Sequence, residues 1–482
     1  MTFFIGRQHE LKQLNLLFKK ESASLIVIRG RRRIGKSRLV EEFAKPHKFI
    51  RISGIPPTDS VTDQDQRNTF MHQLAQQIQT EWNPQGWQPH DWSALFTLLA
   101  DQTKTGRVII LLDEISWMGS LDPTFLGKLK TAWDHEFKKN PKLIMVLCGS
   151  VSTWIEKNII KNTGFFGRIS QYFDIKELPL PDCAAFFDKI KFAGTSHEKL
   201  KILSTTGGVP WYLEQIQAGL NADDNIRNLC FRPNSALVYE FDLIFHDLFS
   251  KRSAIYKRII ETLADGSKEL NEIYTLLGYQ KSGIISTYLD DLEKAGFIQR
   301  DHTWKIKTQT ESKLSHFRLS DNYLRFYLKQ IEPRLNQIKK DALAKAQLSS
   351  ISGWESIMGL QVENLILNNR QLIWDKLDLN AADIVFDNPY FQKKSATQDG
   401  CQIDYLIQTK FNLIYVCEIK FSRNTVGASV ISDVKSKIDK IKIPKGYAYT
   451  PVLIHMNGVS DQLLDQNYFS HIIDINDLMK AS

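Results

Sequence analysis

The stretch that decides the fold runs from Ser24 to Ala44 and reads Ser24-Leu25-Ile26-Val27-Ile28-Arg29-Gly30, then Arg31-Arg32-Arg33-Ile34-Gly35-Lys36-Ser37, then Arg38-Leu39-Val40-Glu41-Glu42-Phe43-Ala44. The first run is apolar and short, which predicts a buried strand; Leu39, Val40 and Phe43 recur at helical spacing, which predicts an amphipathic helix opened by Lys36. Between them stands Gly30-x4-Gly35-Lys36-Ser37. Glycines let backbone N–H groups close around phosphates, and a helix N-terminus adds donors and a positive dipole end. Residues Gly30, Arg31, Arg32, Arg33, Ile34, Gly35, Lys36, Ser37 and Arg38 are therefore read as a phosphate loop. Lys36 is expected to reach the β- and γ-phosphates, and the Ser37 hydroxyl to bind Mg²⁺. The three consecutive arginines are read as solvent-facing, with no catalytic role.

A second apolar run, Val108-Ile109-Ile110-Leu111-Leu112, delivers Asp113 and Glu114 at its end. Asp113 is the expected Mg²⁺ partner and Glu114 the expected general base that polarises the attacking water. No Asn-Lys-x-Asp signature of guanine recognition occurs, so ATP is favoured over GTP. Two further runs, Lys48–Ser53 and Lys142–Ser150, alternate with helical patterns, and residues 170–178 are a candidate fifth strand. Such runs predict a parallel sheet with helices on both faces.

The 482 residues allow several domains, and 43% hydrophobic with 24% charged residues describes a water-soluble globular protein. No apolar run approaches the ~20 residues a bilayer span needs, and the first residues lack signal-peptide organisation. The expectation is a cytoplasmic protein with no membrane partner. Cys148, Cys183, Cys230, Cys401 and Cys417 are scattered, without a C-x-x-C pair, and three or more of them read as small buried apolar residues. A net charge of +8 permits a nucleic-acid partner without requiring one.

Several short motifs together resemble the AAA-like, STAND-type signalling ATPases of archaea and bacteria whose C-terminal domain, of unknown function, is related to PD-(D/E)XK nucleases. Phe4-Ile5-Gly6-Arg7-Gln8-His9-Glu10-Leu11 matches their opening motif, which implies that Gly6 and Arg7 lie by the adenine. Cys148-Gly149-Ser150 matches a sensor element, which implies Ser150 near the γ-phosphate. Phe166-Gly167-Arg168 resembles an element whose arginine senses phosphate, although Arg168 as a simple turn cap stays open. Gly207-Gly208-Val209-Pro210 resembles a lid motif whose proline flanks the base.

Residues 253–307 offer three short helical segments followed by two strand-like pieces, the order of a helix-turn-helix with a wing. Ser282–Lys294 is the expected recognition helix, with Ile284, Ile285, Leu289 and Leu292 as one buried stripe and Lys281, Ser282 and Ser286 near its start. Asp290, Asp291 and Glu293 make its second half acidic, so DNA and a protein partner both stay open.

In the last part, Asp404 lies in one predicted strand, and Glu418 and Lys420 share a face of the next because strand side chains alternate. A hairpin turning at 409–413 sets Asp404 opposite Glu418, where two carboxylates call for a hard cation such as Mg²⁺. Lys420 is the expected stabiliser of a scissile phosphate, and Glu363 a further carboxylate. With the resemblance, this implies a PD-(D/E)XK fold, either active or retained only for binding. Lys435, Lys437, Lys440, Lys442 and Lys445 crowd the following helix, as a phosphate track or as a solvated face.

The expected chain is thus α/β and multidomain: a P-loop ATPase core at 1–180, a helical lid at 181–247, a winged helix-turn-helix at 248–312, a helical connector at 313–351 and a restriction-endonuclease-like domain at 352–482. Two functions stay open. One is an ATP-hydrolysing, DNA-binding enzyme with a Mg²⁺-dependent nuclease centre. The other is a signalling switch whose last domain is an inactive interaction module. Self-association into a homo-oligomer is compatible with both.

Overall fold

Each apolar run in the first part of the chain is too short for a core helix and too continuous to leave one face in water, so it must be buried on both sides. In the computed structural model, which describes residues 3–480 other than 57, 59, 79–88, 151–152, 250–251, 282, 397, 423 and 442, these runs form β1 (Ser24–Gly30), β2 (Lys48–Ser53), β3 (Val108–Asp113), β4 (Leu143–Ser150) and β5 (Ile169–Ile175). They make one sheet of order β2-β3-β4-β1-β5 with every pair parallel. Val108 through Leu112 are 1% exposed or less, which matches a strand covered on both faces. One covering layer is aromatic: Trp92 and Phe96 of helix Trp92–Asp101 meet Phe125 of helix Phe125–His135 at ring separations of 4.7 and 5.6 Å. Each such side chain contributes roughly 1.5–3 kcal/mol by leaving water. Because β4 lies between β1 and β3, the carboxyl ends of these three strands converge on one edge.

The chain divides into two compact units, 1–177 and 178–482, and each is described by itself. The pieces expected beyond residue 180 share cores instead of standing apart. After a helical stretch, β6 (Lys268–Glu269), β7 (Ile298–Lys305) and β8 (Thr310–Leu319) form an antiparallel sheet of order β6-β8-β7 beside helices Ser253–Thr262, Leu270–Leu277 and Gly283–Lys294. β9 (Ile384–Gln392), β10 (Cys401–Thr409), β11 (Leu413–Lys420), β12 (Ala448–His455) and β13 (His471–Asp474) form a mixed sheet of order β13-β12-β11-β10-β9. In it β9, β10 and β11 pair antiparallel, and β11, β12 and β13 pair parallel.

Three expectations need correction. The hairpin does not end at 312, because β8 continues to Leu319. The helical connector is more than a link at its start: Tyr323, Leu324, Phe326 and Ile331 are fully buried, and Asn322 donates to the carbonyls of Ser204 and Gln361. Ile284 is 49% exposed, since Ile285, Leu289 and Leu292 already complete the helical stripe and its neighbour points about 100° away. Trp304 of β7 belongs to the core of the last sheet, stacked 5.1 Å from Phe386 with its indole N–H donating to Gln408 at 2.6 Å. Among the described residues no helix is long and apolar enough to cross a membrane.

Candidate functional site

The phosphate loop has the backbone its glycines predict. A Cβ on Gly30 would lie 2.5 Å from the Ile175 carbonyl oxygen, so only glycine fits there. Gly35 has φ +87° and Arg33 φ +70°, left-handed conformations that turn the chain sharply into helix Lys36–Ala44. Lys36 folds its ammonium onto the carbonyls of Gly30 and Arg31 at 3.0 and 3.1 Å. Arg31 is buried and paired with Glu177 at 3.0 Å, which corrects the expectation that all three loop arginines face solvent. Arg32 lies close enough to Glu114 for its charge to favour the ionised carboxylate. Gly6 and Arg7 also take positive φ, and the buried Arg7 guanidinium donates to the Ile34 carbonyl at 3.3 Å and to the Lys176 carbonyl. It thereby pins the phosphate loop to the end of β5.

The acid side meets the loop as the strand order requires. Ser37 Oγ donates to Asp113 Oδ2 at 2.7 Å, so the two expected Mg²⁺ partners share one vertex. Asp113 is 4% exposed, and its Oδ1 has no hydrogen-bond partner. A buried carboxylate oxygen without a donor is costly unless a cation meets it. This donor set fits a Mg²⁺ ion. Glu114 adopts φ +50°, a strained conformation for a side chain of its size. Its carboxylate accepts from the Ser150 N–H at 3.3 Å, and Ser150 pairs with Gly30 across β1 and β4. Burial raises the Glu114 pKa, with Lys36 opposing and Asp113 adding, the direction that suits a base. Arg51 of β2 was not anticipated: its guanidinium holds Asp113 Oδ2 at 2.7 Å and also contacts Glu41 at 2.5 Å. Only the alignment of Ser53 with Asp113 reveals it.

Arg168 is not brought to this site. It precedes β5, whose first residue pairs with Leu25, and Gly30 lies five residues farther along β1. Strand rise puts Arg168 roughly 17 Å from the phosphate loop, at the opposite edge of the sheet. There its guanidinium forks onto Asp134, Nε to Oδ1 at 3.0 Å and Nη2 to Oδ2 at 2.8 Å, and holds that carboxyl well below its usual range. Pro210 opens helix Pro210–Leu213 in the second unit; a Cβ on Gly208 would lie 2.1 Å from the Leu178 carbonyl, so the Gly-Gly turn before it packs directly on backbone.

In the C-terminal sheet the pairing of Tyr405 with Cys417 sets Asp404 opposite Glu418, as its spacing predicts. Asp404 Oδ2 accepts from the Ile419 N–H at 2.9 Å. Lys420 reaches Glu418 Oε1 at 2.8 Å. The unexpected member is Lys437 of helix Ser429–Ile441, whose ammonium lies 2.5 Å from Glu418 Oε2 and 3.4 Å from Asp404 Oδ1. Burial opposes its charge, but the two carboxylates raise its pKa. Burial and the charge of Glu418 raise Asp404, and burial and Asp404 push Glu363 up to about 7. Each oxygen of the Asp404–Glu418 pair thus has a protein donor, and among the described residues no three His, Cys, Asp or Glu side chains gather closely enough to hold a metal ion. As packed, ammonium and amide donors occupy the oxygens of Asp404 and Glu418 that were expected to meet a metal ion, and Glu363 lies near enough for the Asp404 charge to act on it. Of the other lysines on that helix, Lys435 and Lys440 are exposed; Lys442, like Ser282 of the expected recognition helix, lies outside the described residues.

Residues 4–216 match the family described as an ATPase domain predominantly from Archaea. An uncharacterized protein of Methanocaldococcus jannaschii, MJECL04, is 28% identical over 337 residues, which cover 70% of this chain and 71% of that protein. An uncharacterized ATP-binding protein of the same organism, MJ0423, is 36% identical over 53 residues, 11% of this chain and 90% of that protein. The solved Walker-type ATPase PABY2304 of Pyrococcus abyssi superposes with a TM-score of 0.50 at 18% identity, covering 68% of this chain and 96% of that one. With a glycine loop shaped for phosphate, a serine and aspartate at one vertex and a glutamate poised beside them, residues 4–216 carry the features of an ATPase domain of P-loop type.

Proposed function

We propose that the chain is an ATP-driven switch that acts on DNA in the cytoplasm. The carrying observation is the convergence of Lys36, Ser37, Asp113, Glu114 and Ser150 at one edge of the first sheet. Ser37 and Asp113 would hold a Mg²⁺ ion, which neutralises phosphate charge when bound. Glu114 accepts the proton of the attacking water, and Lys36, released from the loop carbonyls, meets the β- and γ-phosphates. Gly6, Arg7 and Pro210 are assigned to the nucleotide's base by the family resemblance. The helices and hairpin of residues 253–319 have the order of a winged helix-turn-helix, and the exposed Lys281 and Ser286 stand where such domains meet DNA. The C-terminal sheet serves as an interaction module, because lysines already neutralise its carboxylates.

A second reading, a nuclease of PD-(D/E)XK type, rests on Asp404 opposite Glu418 with Lys420 on the same strand. Metal-dependent cleavage of DNA by the full chain, lost in Asp404→Ala with ATPase activity retained, would establish it over the module. For the ATPase centre the test is Glu114→Gln beside Lys36→Ala. The first is expected to bind MgATP and lose turnover by about 10²–10⁴-fold; the second is expected to lose tight binding. Equal turnover in wild type and Glu114→Gln would remove Glu114 from the mechanism.

A further inference from the structure

The second unit carries an open pocket of about 410 Å³ that neither the phosphate loop nor the carboxylate pair uses. Its walls are Trp354 and Met358 of helix Trp354–Asn368, Phe421 just past β11 and Met456 just past β12, and its polar edge is His197 and Asn457 with Ser349 and Glu355. The volume falls within the range of about 300–1,000 Å³ typical of small-ligand pockets. It opens at the carboxyl ends of β11 and β12, which pair in parallel.

Two aromatic rings and two thioethers make the walls flat and polarisable, suited to the face of an aromatic ring. A purely apolar ligand would leave the polar edge idle. There His197 and the Asn457 amide are hydrogen-bonded to each other and the Asn457 Nδ2 also donates to the Ser422 carbonyl, which fixes the amide and leaves its second N–H and one oxygen lone pair for a ligand. Lys201, 6.0 Å over the Trp354 ring, is already paired with Asp223 at 2.5 Å, so the cavity carries no uncompensated cation that would select a highly charged ligand. The segments that carry Met456 and Asn457 are tied down nearby: Val426 N–H donates to the Gly458 carbonyl at 3.0 Å, and the Asn476 side-chain amide donates to the Met456 carbonyl at 3.0 Å.

We infer that this cavity binds a nucleobase, stacked among Trp354, Phe421 and the two methionines and read along its edge by His197 and Asn457. The base can come from a free nucleoside or from a nucleic-acid strand. The test uses the full chain carrying Lys36→Ala, so that the phosphate loop contributes no nucleotide binding, and measures adenosine binding by calorimetry. Adenosine is expected to bind, and Phe421→Ala and Asn457→Leu to weaken it at least about tenfold, the loss typical of one base-stacking partner. Met358→Trp, which fills the cavity, is expected to abolish binding while the thermal melt stays cooperative. Competition by a short single-stranded oligonucleotide assigns the pocket to a base within a strand; adenosine binding without competition assigns it to a free nucleoside. Absence of adenosine binding at millimolar concentration, or binding unchanged in all three variants, overturns the inference. The proposal is independent of the role given to the P-loop.

Discussion

Replacing Lys437 by methionine keeps the aliphatic stem and removes the cation between Asp404 and Glu418. At an effective dielectric of about 20, an ammonium 2.5 Å from one carboxylate and 3.4 Å from another gains gross attractions of roughly 7 and 5 kcal/mol. Desolvation cancels much of this, and removing one partner of a buried pair typically costs about 3–5 kcal/mol. The Glu418 side chain is 2% exposed but Lys437 is 24% exposed, and Lys420 still reaches Glu418, so the expected loss is discounted to about 2–3 kcal/mol. Urea unfolding of the full chain with a chelator present reads this out as a lower midpoint for the second unit. The double variant Lys437→Met/Glu418→Gln should recover at least about 1 kcal/mol, because one of the stranded charges is gone. A single-variant loss below about 0.5 kcal/mol, or a double variant no better than the sum of its parts, would refute the view that Lys437 is the pair's resident cation. If Mn²⁺ restored the midpoint of Lys437→Met, the nuclease reading would gain over the interaction module.

Arg168→Ala is expected to leave MgATP affinity within about twofold of wild type, since strand rise sets it far from the phosphate loop; a tenfold loss measured by nucleotide titration would show that its position has been misjudged. Arg51→Met should tighten Mn²⁺ binding in the presence of ATP by a few fold, because Asp113 Oδ2 loses a competing cation; weaker binding would instead make Arg51 a support for the metal ligand. If residues 253–319 contact phosphates, duplex affinity should fall steeply with rising salt, and Lys281→Glu should weaken binding on every sequence. Affinity that does not respond to salt would favour a protein partner for that surface.

The linear sequence determined the first unit almost completely. Apolar runs of five or so residues can only be strands buried on both faces, and Gly30-x4-Gly35-Lys36-Ser37 between a strand and a helix leaves the backbone few alternatives. The opposition of Asp404 and Glu418 was equally legible, because a hairpin's register follows from its turn and the two-residue alternation of its strands. What the sequence left undecided are choices made between segments far apart in the chain. Lys435, Lys437 and Lys440 are chemically alike, and only the packing of helix Ser429–Ile441 on the sheet turned Lys437 inward onto the carboxylates. Arg168 carries a phosphate-sensing motif by resemblance, yet the direction of β5 places it at the edge away from the phosphates. Arg51 reached Asp113 because β2 and β3 are neighbours, an adjacency no local pattern encodes. Local periodicity reports which face of an element is buried; which charges then meet is decided by strand order and helix docking, and these emerge only when the whole core closes.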